Sequence, residues 1–106
     1  MSKMYKYTNP WAIGCEDEIW FTKERYMDGS LAIEAWCEDG PYTTVTVCLS
    51  RKLNPDEAFV DTNNNAGMDR WLEKNGIAEF TGVYGQSGFC TYPLMRFNLD
   101  KIDKEE

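Results

Sequence analysis

Two turns, Asp28-Gly29 and Asp39-Gly40-Pro41, frame a run of strict period-two hydrophobicity and leave little choice of local architecture. Asp-Gly suits the tightest hairpin turns, whose central residues take up left-handed backbone that most side chains resist. Between the turns Leu31, Ile33, Ala35 and Cys37 alternate with Ala32, Glu34, Trp36 and Glu38. In an extended chain that pattern sends the first set to a core face and puts two carboxylates and Trp36 on the other. Before the first turn, Glu18 to Met27 is rich in aromatic and β-branched residues (Ile19, Trp20, Phe21, Thr22, Tyr26). After the second, Val45, Val47 and Leu49 point one way and Thr44, Thr46 and Cys48 the other. Three antiparallel strands in sequence order, a meander, are expected.

The remainder reads as mixed structure. Arg51 to Pro55 is a loop, Ala58 to Asp61 a short extended piece, and Thr62-Asn63-Asn64-Asn65 a turn able to cap a helix. Met68, Trp71 and Leu72 fall at helical spacing, and Asn75-Gly76 supplies a left-handed stop, which predicts one helix of about ten residues. Ile77 to Tyr84 is extended, Gly85-Gln86-Ser87-Gly88 a tight turn, and Phe89 to Leu99 a strand whose Pro93 suits an edge or a bulge. The expected fold is α+β: a single domain over residues 1–99, with an antiparallel, meander-like sheet of about five or six strands and one helix packed on a face. Residues 100–106 are expected to form a charged, frayed tail. A chain of 106 residues has room for one core and not two.

Charge is concentrated. The formal net charge is −7, and residues 16–39 hold Glu16, Asp17, Glu18, Glu24, Asp28, Glu34, Glu38 and Asp39 against Lys23 and Arg25. Such a surface repels phosphate backbones, so no direct nucleic-acid binding is expected, while a basic protein surface is attracted. Solubility is the plain alternative use of the same charges. No apolar run approaches the roughly 20 residues of a membrane span, and the start, Met1 to Lys6, lacks the apolar stretch of a secretory signal. The expectation is a cytoplasmic protein without a membrane partner. Cys15, Cys37, Cys48 and Cys90 are isolated along the chain and read as reduced thiols.

There is no histidine. That removes Ser-His and Cys-His nucleophiles, imidazole proton transfer and most zinc sites. Gly85-Gln86-Ser87-Gly88 falls one residue short of a nucleophile elbow and has no base. Asp61, Asn63 and Asn65 alternate like the first ligands of a calcium loop, but Ala66 stands where glycine is needed and Leu72 where a bidentate glutamate belongs. Capping and turn formation account for the same residues. Glu16-Asp17-Glu18 and Glu38-Asp39 are the carboxylates open to acid-base chemistry, although adjacent turn residues are more often simply solvated. No cofactor, metal site or catalytic residue is expected. Trp11, Trp20 and Trp36 read either as core residues or as anchors of a protein-binding surface with a polar rim.

The stretches Ala58-Phe59-Val60-Asp61-Thr62-Asn63-Asn64, Asn75-Gly76-Ile77-Ala78-Glu79-Phe80-Thr81-Gly82 and Tyr84-Gly85-Gln86-Ser87-Gly88-Phe89-Cys90-Thr91-Tyr92-Pro93 resemble a family of small uncharacterised proteins, a domain-of-unknown-function family frequent on plasmids, phages and integrative elements of gut Firmicutes. The likeness spans roughly residues 24–97 and carries no catalytic roles. It implies a context in which small acidic proteins of mobile elements neutralise host defence nucleases by occupying nucleic-acid sites, an argument by analogy.

The resulting expectation is a non-enzymatic acidic binder that blocks a CRISPR effector or a restriction enzyme. Its partner is the basic surface of a host protein, and its contact residues are Glu16, Asp17, Glu18, Asp28, Glu34, Trp36, Glu38 and Asp39. Glu34, Trp36 and Glu38 share one strand face, with Asp28 and Asp39 at the flanking turns. An accessory or housekeeping protein of the element and a carboxylate-only enzyme are the alternatives. A competing packing puts Trp36 beneath the helix that carries Trp71.

Overall fold

The computed structural model describes residues 4–8, 16–49 and 51–102, with backbone alone at Thr8, Glu16 and Asp17. Trp11, Cys15 and residues 103–106 of the expected tail lie outside the described residues. Among the described residues eight strands form two four-stranded sheets with one α-helix, an α+β fold, where the sequence predicts a single sheet of about five or six strands.

The first sheet is the expected meander with one strand added. It comprises β1 (Tyr5–Thr8), β2 (Glu16–Arg25), β3 (Leu31–Cys37) and β4 (Gly40–Thr44), in that order. The turn at Asp28-Gly29 closes as its residues require: Gly29 takes φ 87°, its N–H donates to Tyr26 O, and Tyr26 N–H donates to Ser30 O. Leu31, Ile33 and Ala35 are buried on the inner face, as the alternation predicts.

The chain changes sheets at Val45, and this is where the expected single sheet divides. Val45 N–H donates to Ile33 O of β3 at 2.9 Å, while its carbonyl accepts at 2.8 Å from the N–H of Asp61, the residue that follows a strand of the other sheet. The next residues, β5 (Thr46–Val47), pair with β6 (Glu57–Val60). The bend overrides the alternation, so that Val45 and Thr46 are both buried although they were expected on opposite faces. Thr46 is satisfied there because its Oγ1 accepts Ile33 N–H at 3.1 Å and shares a hydrogen bond with Tyr26 Oη at 3.0 Å. Burial, partly offset by that bond, holds the Tyr26 phenol above its ordinary pKa.

The second sheet runs β5, β6, β8 (Cys90–Phe97), β7 (Ala78–Ser87). All four residues of β6 are buried, because both of its faces are covered. Ala58 and Val60 join the main core with Ile19, Phe21, Ile33, Met68, Leu72, Ile77, Met95 and Phe97, while Phe59 joins Tyr92 and Leu94 in a smaller cluster under Leu49 and Leu53. Pro93 lies in an inner strand and not at an edge. It stands opposite Tyr84 where the β7 register slips, at the bulge where a missing N–H costs least.

The helix α1 (Met68–Lys74) has seven residues, shorter than expected, and buries Met68 and Leu72. Its end follows the sequence: Gly76 takes φ 68°, Gly76 N–H donates to Glu73 O and Ile77 N–H to Leu72 O, a complete Schellman stop. Its start does not. The N-cap is Gly67, with no side-chain cap bond, and the asparagines serve the preceding turn. Asp61 accepts from Asn64 N–H and Nδ2–H, while Asn65 turns inward, its Oδ1 accepting from Thr43 Oγ1 and its Nδ2 donating to Thr44 O. Asp61 and Asn65 therefore do not converge on a common point, and the calcium-loop spacing has no geometric counterpart. Past Leu99 the chain makes a 3-10 turn, Leu99–Lys101, and Ile102 is buried in the main core. No helix among the described residues is long and apolar enough to cross a membrane.

Candidate partner-binding face

The outer face of the first sheet carries the even-numbered residues of β2 and β3. The register sets Trp20 opposite Trp36, Thr22 opposite Glu34 and Glu24 opposite Ala32, with Glu34 also opposite Thr44 and Lys6 opposite Glu18. Both tryptophans are half-buried. The helix covers the other side, where Trp71 meets the rings of Tyr5, Tyr7 and Phe21 and donates its Nε1–H to Lys6 O. The packing that would place Trp36 beneath the helix is therefore not adopted.

Two hydrogen bonds fix this face. Trp36 Nε1–H donates to Thr22 Oγ1 at 2.8 Å, and Thr44 Oγ1–H donates to Glu34 Oε2 at 2.8 Å. Each joins neighbouring strands, so the indole and the carboxylate are held in place. Glu18, Glu38 and Asp39 are exposed. Glu38 lies two residues beyond Trp36 and Glu18 two before Trp20, so both stand at the same end of the β2–β3 hairpin as Asp39. Glu16 and Asp17 continue β2 at that end, opposite Thr8 and Tyr7.

Asp28 is separate from this group. It sits in the turn at the far end of β3, about 20 Å away along the strand. Its Oδ1 accepts from Ser30 N–H at 3.0 Å and Ser30 Oγ–H at 2.6 Å, and its Oδ2 from Cys48 Sγ–H at 3.5 Å. The Ser30 hydroxyl, followed by the Ser30 amide, holds the Asp28 carboxyl below its ordinary value. Of the expected contact residues the fold thus gathers Glu18, Glu34, Trp36, Glu38 and Asp39, with the backbone of Glu16 and Asp17 adjoining, and leaves Asp28 in a structural turn.

Trp20 is the residue this set omitted. A hairpin centred on Asp28 pairs residues equally far from it on either side, which puts Trp20 against Trp36, so the signal was present in the turn. No comparable signal marked Phe80, Val83 and Tyr84, which are exposed on the edge strand β7, where Phe80 and Tyr84 meet with ring centroids 5.0 Å apart. Nor did any mark the Glu57, Arg96 and Glu79 row across β6, β8 and β7, in which Arg96 lies 3.7 Å from Glu57 and 3.6 Å from Glu79. Cys37 and Cys90 are half-buried free thiols, and Cys48 is an exposed one.

A two-sheet α+β domain with an open face of paired tryptophans and carboxylates is the class that fold and site define. Residues 22–105 match the model of a family described as a domain of unknown function, DUF4313, and the chain belongs to that family. The match takes in β3, β4, both sheets' shared bend and the whole second sheet, but begins after Glu16, Asp17, Glu18 and Trp20. No curated protein and no solved structure matches the chain.

Proposed function

We propose that this protein acts by binding and not by turnover, the open face of its first sheet docking onto a basic surface of another protein. The observation that carries the reading is the cross-strand pair Trp20 and Trp36, half-buried on the sheet face opposite the helix, with Glu34 beside it and Glu18, Glu38 and Asp39 at its end. Aromatic anchors within a polar rim are the usual composition of an interface hot spot. Carboxylates around them draw Lys and Arg of the partner by charge-assisted hydrogen bonds.

The partner class we infer is a protein whose basic groove serves nucleic acid, specifically a bacterial defence nuclease, either a CRISPR effector or a restriction enzyme. The net charge of −7 supports a competitor for such a groove. The resemblance to proteins of mobile elements in gut Firmicutes supplies the biological setting, as analogy.

The test is inhibition of cleavage across a panel of CRISPR effectors and restriction enzymes, comparing the wild type with a Glu18→Lys/Glu38→Lys variant. Both positions are exposed, so the exchange should move stability by no more than about 0.5 kcal/mol. Glu34 is left alone because it is tied to Thr44. Inhibition by the wild type that weakens with salt and vanishes in the variant is the expected result. Inhibition unchanged by the reversal would exclude this face, and no inhibition anywhere in the panel would remove the nuclease reading.

A further inference from the structure

At the end of the β2–β3 hairpin remote from its carboxylates, an open cleft of about 300 Å³ is lined by Arg25, Ser30, Arg51, Lys52 and Asn54, with Asp28 on one wall. Three of the chain's eleven basic residues line it, in a protein with eighteen acidic ones. Sequence does not bring them together: Arg25 ends β2, whereas Arg51 and Lys52 lie within the loop between β5 and β6.

The two arginines are held in position. Arg25 Nη1–H donates to Pro55 O at 2.9 Å, which fixes the guanidinium while leaving its other N–H groups available. The guanidinium carbon of Arg51 lies 6.0 Å from the centroid of the Phe59 ring, within cation–π range. None of the three cations makes an ion pair among the described residues, in contrast to Arg96, which is bridged to Glu57 and Glu79. The one acid in the cleft is already engaged, since Asp28 accepts from Ser30 twice and from Cys48. Three like charges lining one cleft with a single carboxylate among them leave positive charge uncompensated, so the arrangement gains from an anion.

We infer that this cleft binds a phosphate group. With Asp28 ionised, the three cations leave two positive charges in excess, which matches a dianion. Guanidinium groups suit the oxygens of a tetrahedral anion by paired N–H donors, and the Lys52 ammonium adds a point charge. A carboxylate, with one charge and two oxygens in a plane, uses less of the site. The cleft is large enough for the phosphate to carry an organic substituent. This site is independent of the docking face, from which it is separated by the length of β3.

Titration of ¹⁵N-labelled protein with inorganic phosphate, and separately with adenosine monophosphate, at constant ionic strength tests the assignment. Saturable amide shifts confined to residues 25–30 and 51–55 are expected with at least one of the two, and the tighter of them tells free phosphate from a phosphate monoester. Arg51→Gln/Lys52→Gln should weaken that binding by about tenfold or more, the loss of charged hydrogen bonds. Lys52→Gln alone should weaken it to a lesser degree, and serves should the double variant fail to fold. Shifts that chloride reproduces at equal ionic strength, shifts that persist in the variants, or the absence of shifts in these two segments with either probe would overturn the assignment.

Discussion

Gly85 lies directly beneath the ring of Phe59: a β-carbon at position 85 would stand 2.5 Å from Phe59 Cε1 and 2.7 Å from Cζ, with Leu49 Cδ1 at 2.8 Å. The glycine is in strand β7 and pairs with Tyr92; the turn expected to begin there is made later, by Gly88 at φ 61° between the paired residues Ser87 and Cys90. Gly85 is therefore required for close approach, so Gly85→Ala should destabilise the fold by roughly 1–3 kcal/mol, as overpacking does. Urea denaturation measures this, and a variant as stable as the wild type would show that Phe59 moves aside freely.

Asn65 and Asn63 are neighbours in one polar run with opposite fates. The Asn65 carboxamide is buried and bonded at both ends to β4, whereas Asn63 is exposed. Asn65→Ala should cost about 1–3 kcal/mol by leaving Thr43 and the Thr44 carbonyl without their partner. Asn63→Ala should stay within about 0.5 kcal/mol. Equal losses at the two positions, read from chemical denaturation, would contradict the inward turn of Asn65.

Asp28 should titrate below the ordinary carboxyl value of 3.8, because the Ser30 hydroxyl and amide stabilise its charged form. A depressed native pKa contributes stability that is fully present above the unfolded value and is lost as pH falls through the native one. Asp28→Asn should therefore lose that contribution at neutral pH and flatten the acid limb of the stability curve below about pH 4, so that variant and wild type converge in acid. Carboxyl ¹³C titration checks the midpoint, which should rise in Ser30→Ala. A midpoint indifferent to that substitution would assign the shift to something other than Ser30.

Thiol reactivity should follow exposure. Cys48 is exposed, while Cys37 and Cys90 are half-buried against the two apolar clusters. Brief alkylation of the native protein followed by peptide mapping should find Cys48 modified first, and the other two only slowly until denaturant is added. Modification of Cys37 or Cys90 ahead of Cys48 would mean that the cluster above that residue opens readily.

Local chemistry made much of the fold legible. The hairpin around Asp28-Gly29, the burial of Leu31, Ile33 and Ala35, and the helix stop at Asn75-Gly76 each depend on residues close together in sequence, where turn geometry and periodicity act directly. The first helical turn was misread because any of several asparagines can cap, and the choice fell to Thr43 and Thr44, some twenty residues earlier, which claim Asn65. Thr46 was assigned to the wrong face for a similar reason: alternation assumes a straight strand, and nothing within Thr44 to Cys48 announces a bend imposed by Ile33 and Asp61. The acidic face was visible as composition, and its tryptophan pairing through hairpin symmetry. The cationic cleft was not, since Arg25 and Arg51 come to line one cleft only once both sheets exist.

Val45 donates to one sheet and accepts from the other, and it is fully buried. Neither sheet can part from the residue without stranding a backbone polar group away from water, a cost comparable to losing a hydrogen bond outright. Partial melting of one sheet with the other intact is thereby penalised, and the two layers are coupled into a single unit of cooperativity. The tryptophans on the outer surface of the first sheet consequently inherit their rigidity in part from the strands of the other sheet.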